Sequence, residues 1–233
     1  MFYERDYEKA VKRSFDLLLD EEITTFPIDS FKIVESLGWV IKTYTQLAKE
    51  IGCTTNELAS ISPDALTKKC KGYYVIAYND TAENCPERIN FSIMHEIGHI
   101  YMNHFKYANN NYLYKNGLNE GLYKKLECEA NCFARNVLCP AILAREIKHK
   151  IYSDEHIIDA KKDAYFNNYL IKLFSLSKCA AKTRLDFYDY DLKNSLFPRS
   201  VELKKQCAMF INMSKLGITL GHRSCLDLNI NRR

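Results

Sequence analysis

The sequence lacks any long apolar run and any apolar signal core. No window of the 233 residues approaches the about 18 apolar residues of a membrane span. The N-terminal stretch MFYERDYEKAVKR is charged from its fourth residue, which is not the pattern of a secretory signal. These absences predict a cytoplasmic protein that does not bind a membrane.

The sequence also lacks a large excess of charge of either sign. It has 33 Lys and Arg against 29 Asp and Glu, for a net charge of +4. A balance this even gives no reason to expect nucleic acid as the principal partner. We therefore do not expect direct nucleic-acid binding.

A disulfide framework is not expected either. The nine cysteines are odd in number and scattered, and no two of them form a CxxC pair. This usage indicates reduced, mostly buried thiols rather than a secreted scaffold.

The pattern of helices and strands predicts an α+β fold. An apolar stripe runs from Tyr7 to Leu19, and the strand-like runs WVIKTY and GYYVIAYND are separated by short helices, one of them with a capping box from Thr54 to Glu57. Two longer helices follow, and the second is ended by Pro140. With 47% hydrophobic residues, a chain of this length suits one catalytic domain and a smaller, mostly helical part.

Histidine is scarce but crowded. Three of the six histidines lie in FSIMHEIGHIYMNH, Phe91 to His104. The HExxH spacing puts His95 and His99 on one helix face, with Cβ atoms roughly 5–6 Å apart, so that both can bind one zinc ion. Glu96 points to the side where it could act as general base on a water at the metal. The alternative is an ordinary amphipathic helix whose histidines are packed.

A catalytic zinc needs a third protein ligand. A metzincin would have glycine at position 102 and histidine at 105, but the chain has Met102 and Phe105, which excludes that class. His104 is about 140° round a continuous helix from His99 and should not face the same ion unless the helix breaks.

The preferred third ligand is Glu127, in LECEANCFARNVLCP. Glu127 and Asn131 share one helix face, and a glutamate ligand followed one turn later by a polar residue is typical of thermolysin-like, gluzincin-type peptidases. Asn131 would hydrogen-bond a ligand histidine and fix its tautomer. Glu129 is about 200° round the helix from Glu127, so only one of the two can face the metal.

At these residues the sequence resembles the ImmA/IrrE family of zinc metallopeptidases. The resemblance rests on PERINFSIMHEIGHI, ECEANCFARNVLCP, YYVIAYND and LFSLSKCAAKTRL, and covers roughly Phe26 to Tyr188. It implies a zincin-like core with one zinc per chain. It also implies an anti-repressor that cleaves a helix-turn-helix repressor of a mobile genetic element. Cys139 departs from the family, which commonly has methionine there.

Three segments are predicted: a zincin-like domain over residues 1–150, a helix-turn-helix-like segment over 151–193, and a tail of unknown role over 194–233. The run from Tyr73 to Tyr78 is either an exposed edge strand that receives substrate or an ordinary core strand. Two further functions stay open. One is a zinc-stabilised module that captures a repressor without cutting it, and the other is a DNA-binding regulator that would use Lys178, Lys182 and Arg184.

Overall fold

The structure, a computed structural model, describes residues 3–81, 85–108, 111–113 and 118–220. It contains two compact units. The first comprises the residues up to Leu17 with Asp29–Leu138, and the second comprises Leu18–Ile28 with the chain from Cys139 onward. The functional segments predicted over 1–150, 151–193 and 194–233 stay a prediction, and positions 221–233 of the last lie outside the described residues.

Helices make up most of the first unit. They are α1 (Tyr7–Asp20), which begins there, α2 (Ser30–Ser36), α3 (Tyr44–Ile51), α4 (Thr55–Ile61), α5 (Pro86–Tyr101) and α6 (Glu120–Leu138), with a short 3-10 helix at His104–Tyr107. Side-chain caps define several starts. The predicted capping box is present. The Thr54 side chain accepts a hydrogen bond from the Glu57 backbone amide, and the Glu57 side chain accepts one from the Thr54 backbone amide.

A three-stranded mixed sheet completes the first unit. Its strands are β1 (Val40–Thr43), β2 (Ala65–Lys69) and β3 (Tyr74–Tyr78), in the order β1-β3-β2. β3 pairs in parallel with β1 and antiparallel with β2. The predicted α+β class with a small mixed sheet is confirmed, but the possibility that Tyr73 to Tyr78 form an edge strand is wrong. β3 is the central strand because both of its edges are already paired.

β2 is the edge strand beside β3, and sequence patterning did not predict it. Its sequence ALTKK does not alternate between apolar and polar residues. The first three residues are all buried, and the last two are lysines. Near Lys69 the outer edge of β2 is covered by a bridge to Tyr112 and by a bond from the Lys69 amide to the Asn111 carbonyl. Among the described residues, Ala65 to Thr67 pair along the β3 side only.

The second unit is helical, as predicted for the C-terminal part. Its helices are α7 (Ala141–Tyr152), α8 (Asp159–Phe174), α9 (Lys178–Asp186), α10 (Tyr188–Lys193), α11 (Pro198–Gln206) and α12 (Ala208–Leu220). Arg184 of α9 is fully buried, where it forms an ion pair with Asp191 and donates to the carbonyl of Cys139. Arg184 therefore joins α9, α10 and the start of α7, and its guanidinium does not face solvent.

The eight cysteines among the described residues are all free thiols. Of these eight, Cys132, Cys139 and Cys207 are buried and the other five are partly or fully exposed. The expectation of mostly buried thiols is therefore wrong. None of the described helices combines the length and the apolar character that crossing a membrane requires.

Candidate metal centre

The site begins with a close crossing of α5 and α6 at Gly98, the glycine of HEIGH. A Cβ at this position would lie 3.0 Å from a ring carbon of Phe133 and 3.2 Å from the carbonyl oxygen of Ala130. The absence of a side chain lets α6 approach the backbone of α5 directly. The inner face of α6 is thereby brought next to the two histidines.

We predict that Gly98→Ala destabilises the protein. Overpacking a close contact costs about 1–3 kcal/mol, which outweighs the roughly 1 kcal/mol that alanine gains over glycine in a helix interior. Gly217→Ala in α12 is the matched control, because a Cβ there would meet nothing within 4 Å. Denaturant unfolding should show a lower free energy of unfolding for Gly98→Ala only. A Gly98→Ala protein as stable as Gly217→Ala would contradict the close crossing.

Three possible ligand side chains converge between α5 and α6. The Nε2 atoms of His95 and His99 are 2.9 Å apart. Glu127 of α6 places Oε2 3.3 Å from His95 Nε2 and Oε1 3.3 Å from His99 Nε2. A tetrahedral zinc ion with bonds of about 2.0–2.1 Å keeps its ligand atoms about 3.3 Å apart. The donor set and its spacing therefore fit a zinc ion without rearrangement of the helices.

Glu96 is the second carboxylate beside these histidines. His95, Glu96 and His99 each offer a ligand atom within 4.8 Å of the others. Glu96 is nevertheless the weaker candidate for a ligand, since Glu127 lies closer to both imidazoles and the Thr67 hydroxyl of β2 donates to Glu96 Oε2 at 2.7 Å. Burial raises the pKa of Glu96 and nearby Glu127 adds to this, while His95 and Thr67 oppose it.

The ionisation of Glu127 and the neutral state of His99 suit a bound cation. Burial raises the pKa of Glu127, but its hydrogen bonds to His95 and His99 outweigh burial and hold the pKa well below its usual range. Burial lowers the pKa of His99 to about 4. For His95, the lowering by burial is exceeded by Glu127 and Glu96, so its pKa is raised. An ionised carboxylate and a neutral imidazole are the forms that bind a metal, and the negative charge near His95 attracts a positive one.

Both histidines also have a hydrogen-bond partner at Nδ1, the ring nitrogen opposite the ligand cluster. His95 Nδ1 lies 3.0 Å from Asn131 Oδ1, in the arrangement predicted for Asn131. His99 Nδ1 lies 2.9 Å from His104 Nδ1, and His104 Nε2 lies 3.2 Å from Glu129 Oε2. Sequence reasoning did not predict the contacts of His104 and Glu129.

The position of His104 follows from the end of α5. The helix stops at Tyr101 and Asn103 adopts a left-handed conformation with φ 59°, so the rotation estimated for a continuous helix does not apply. His104 then reaches the Nδ1 side of His99, opposite to Glu127. Asn103 is the signal that could have indicated this break, because asparagine is enriched at positive φ.

The converging ligand side chains line a cavity of about 310 Å³. The cavity is lined by α4, β2, α5 and α6, together with the segment before β2 and Leu113: Ile61, Ser62, Pro63, Asp64, Ala65, Leu66, Phe91, Ser92, His95, Glu96, His99, Leu113, Tyr123, Glu127 and Asn131. Tyr123 is the tyrosine in this lining. Burial, with Glu127 next, raises the pKa of Tyr123 to about 12, so its hydroxyl keeps its proton at neutral pH.

A comparison with known protein families agrees with this geometry. The family model for the IrrE N-terminal-like domain, peptidase family M78, matches residues 48–186, more than half of the chain. No curated protein and no solved structure matches the chain. The match includes α5, α6 and β3, and the fold of the family is zincin-like. The chain therefore belongs to the IrrE N-terminal-like (ImmA/IrrE) family of metallopeptidases.

Proposed function

We propose that the protein is a zinc-dependent endopeptidase in which His95, His99 and Glu127 hold one zinc ion and Glu96 is the general base. The observation that carries the proposal is the convergence of His95, His99 and Glu127 at zinc-like spacing, with a second carboxylate, that of Glu96, beside them. The cavity in front of this cluster has room for an open coordination position and a peptide.

When bound, the zinc ion supplies Lewis-acid chemistry, which polarises a peptide carbonyl and makes a water more acidic. Glu96 removes the proton from the attacking water and delivers it to the leaving amine. Thr67 holds one oxygen of Glu96 in place by its hydrogen bond. The protonated hydroxyl of Tyr123 is the candidate second donor to the oxyanion.

The substrate class we propose is an extended segment of a helix-turn-helix repressor of a mobile genetic element, cleaved in the cytoplasm. The family membership supports a protein substrate. β2 supports an extended one, since Ala65 and Leu66 line the cavity and lie at the edge of the sheet. A peptide can add to such an edge by main-chain hydrogen bonds.

Two other functions are less well supported. A module that only captures the repressor has no need of a buried carboxylate held by Thr67 next to the metal ligands. A DNA-binding regulator would use the basic residues of α9, but Arg184 is buried against Asp191, which leaves exposed Lys178 and Lys182. A salt-dependent electrophoretic mobility shift of free DNA by the protein would favour the DNA-binding regulator.

The metal content tests the class of the protein. We expect one equivalent of zinc per chain after purification without chelators, because two imidazoles and one carboxylate suit this ion. Elemental analysis of the full-length protein measures it. The absence of a stoichiometric transition metal in the purified protein would contradict the proposed function.

The substrate is tested by co-expression. The protein and a candidate repressor from the same mobile element are produced together, and full-length repressor is followed by blotting. We expect full-length repressor to be lost and a defined fragment to appear. A repressor that is inactivated but stays uncut points to capture instead of cleavage.

A further inference from the structure

A chain of buried hydrogen bonds continues from His99 away from the proposed metal. It runs from His99 Nδ1 to His104 Nδ1 at 2.9 Å and from His104 Nε2 to Glu129 Oε2 at 3.2 Å. All three side chains are nearly inaccessible to solvent. Glu127 lies on the Nε2 side of His99, where a metal would bind. The hydrogen-bond chain therefore uses the other ring nitrogen of His99, Nδ1.

Glu129 is fixed at the far end of this chain. Its Oε1 atom accepts from the backbone amide of Asp6 at 2.6 Å and lies 3.2 Å from Lys125 Nζ. Lys125 also donates to the carbonyl of Glu4, so the segment before α1 is part of the same network. A carboxylate bound by two donors at one oxygen stays ionised and offers its other oxygen to His104 as an acceptor only.

The protons in this chain can then be placed in one direction. Glu129 accepts, so His104 carries its proton on Nε2. The His104 Nδ1 atom of a neutral ring is then an acceptor, so His99 must carry its proton on Nδ1. That tautomer leaves the lone pair of His99 Nε2 pointing toward Glu127 and His95, where a metal would be bound.

We propose that His104 and Glu129 are positioning residues that fix the tautomer and orientation of His99 and thereby raise the metal affinity of the site. The proposal rests on the proposed zinc site. Asn131 does the same for His95 through a single hydrogen bond, whereas His99 depends on two links and on the segment before α1.

Glu129→Gln tests the direction of the chain with almost no change of shape. If the new amide oxygen stays with the Asp6 amide, its NH2 group faces His104 Nε2, which must then accept. The proton of His104 moves to Nδ1, and His99 is left with its proton on Nε2, where it blocks the metal. We expect zinc affinity to fall by about 10- to 100-fold, the usual cost of losing an outer partner of a ligand histidine.

Two substitutions of His104 separate tautomer control from packing. The Oδ1 atom of His104→Asn can take the place of histidine Nδ1 and accept from His99. His104→Gln reaches instead to the place of Nε2 and keeps the contact to Glu129 only. We expect His104→Asn to retain most of the zinc affinity and His104→Gln to lose about 10- to 100-fold.

The measurements are the zinc dissociation constant, by competition with a chromophoric chelator, and the visible spectrum of the Co²⁺-loaded protein. The melting temperature of the metal-free protein shows whether each variant folds. Weaker zinc binding by Glu129→Gln and His104→Gln, with metal-free melting unchanged, supports the proposal. Wild-type affinity in both, or equal losses in His104→Asn and His104→Gln, overturns it. A wild-type protein that binds no zinc overturns the proposed function as well, and that result is distinguishable because it does not involve the variants.

Discussion

Glu96→Gln is expected to slow peptide cleavage by about 10²–10⁴-fold or more while the protein keeps its zinc. An amide has nearly the shape of the carboxylate, so the Thr67 hydroxyl can still donate to its oxygen. It cannot accept the proton of the attacking water at neutral pH. The change therefore removes the base and leaves His95, His99 and Glu127 in place.

The measurement combines zinc content, melting temperature and the rate of repressor cleavage on the same preparation. Glu87→Gln is the matched control, since it makes the same chemical change in the first turn of α5 and Glu87 does not line the cavity. We expect the Glu87→Gln protein to cleave at the wild-type rate. If Glu96→Gln still lowers repressor activity as well as the wild type does, capture is the function and the assignment of an enzyme is wrong.

Glu127→Ala is expected to abolish stoichiometric zinc binding. It removes the donor that lies 3.3 Å from both imidazoles and leaves two ligands, which is too few for a catalytic zinc site. The loss should exceed the about 10- to 100-fold expected for an outer partner. Elemental analysis after dialysis against micromolar free zinc measures the difference.

Glu129→Ala is the matched comparison on the same helix. Glu129 lies behind His99, on the side of His104, and donates no atom to the converging cluster. We expect Glu129→Ala to bind one equivalent at saturating zinc, although with weaker affinity. If Glu129→Ala lost the metal and Glu127→Ala kept it, the assignment of the third ligand would be reversed.

Helical periodicity predicted the arrangement of α5 and α6 well, because both helices are long and their spacing of four residues fixes which side chains share a face. His95 with His99, and Glu127 with Asn131, lie together as that spacing requires. This part of the site needs only local geometry and the close contact of two helices.

The rest depended on tertiary structure that periodicity does not contain. β2 is buried along Ala65 to Thr67 by the packing around it, so its sequence shows no strand pattern. β3 was recognisable as a strand, but whether it is central depends on β2. His104 was placed by a single left-handed residue, Asn103, after which the rotation of α5 no longer applies. The metal identity, the substrate and the ligand roles remain predictions for experiment.

The covered end of β2 limits the length of an extended peptide that could pair with this edge. A peptide strand beside Ala65 to Thr67 has about 10 Å before it meets the segment at Asn111 and Tyr112, since a strand rises about 3.3 Å per residue. Three extended residues fit in that distance. A helical segment cannot pair with this edge, because its backbone amides and carbonyls already bond to each other within the helix. Under the proposed function, a folded repressor would have to fray at the cleaved bond before it could be cut. If the proposed repressor is the substrate, its rate of cleavage should rise as the local stability of that segment falls, for example on heating.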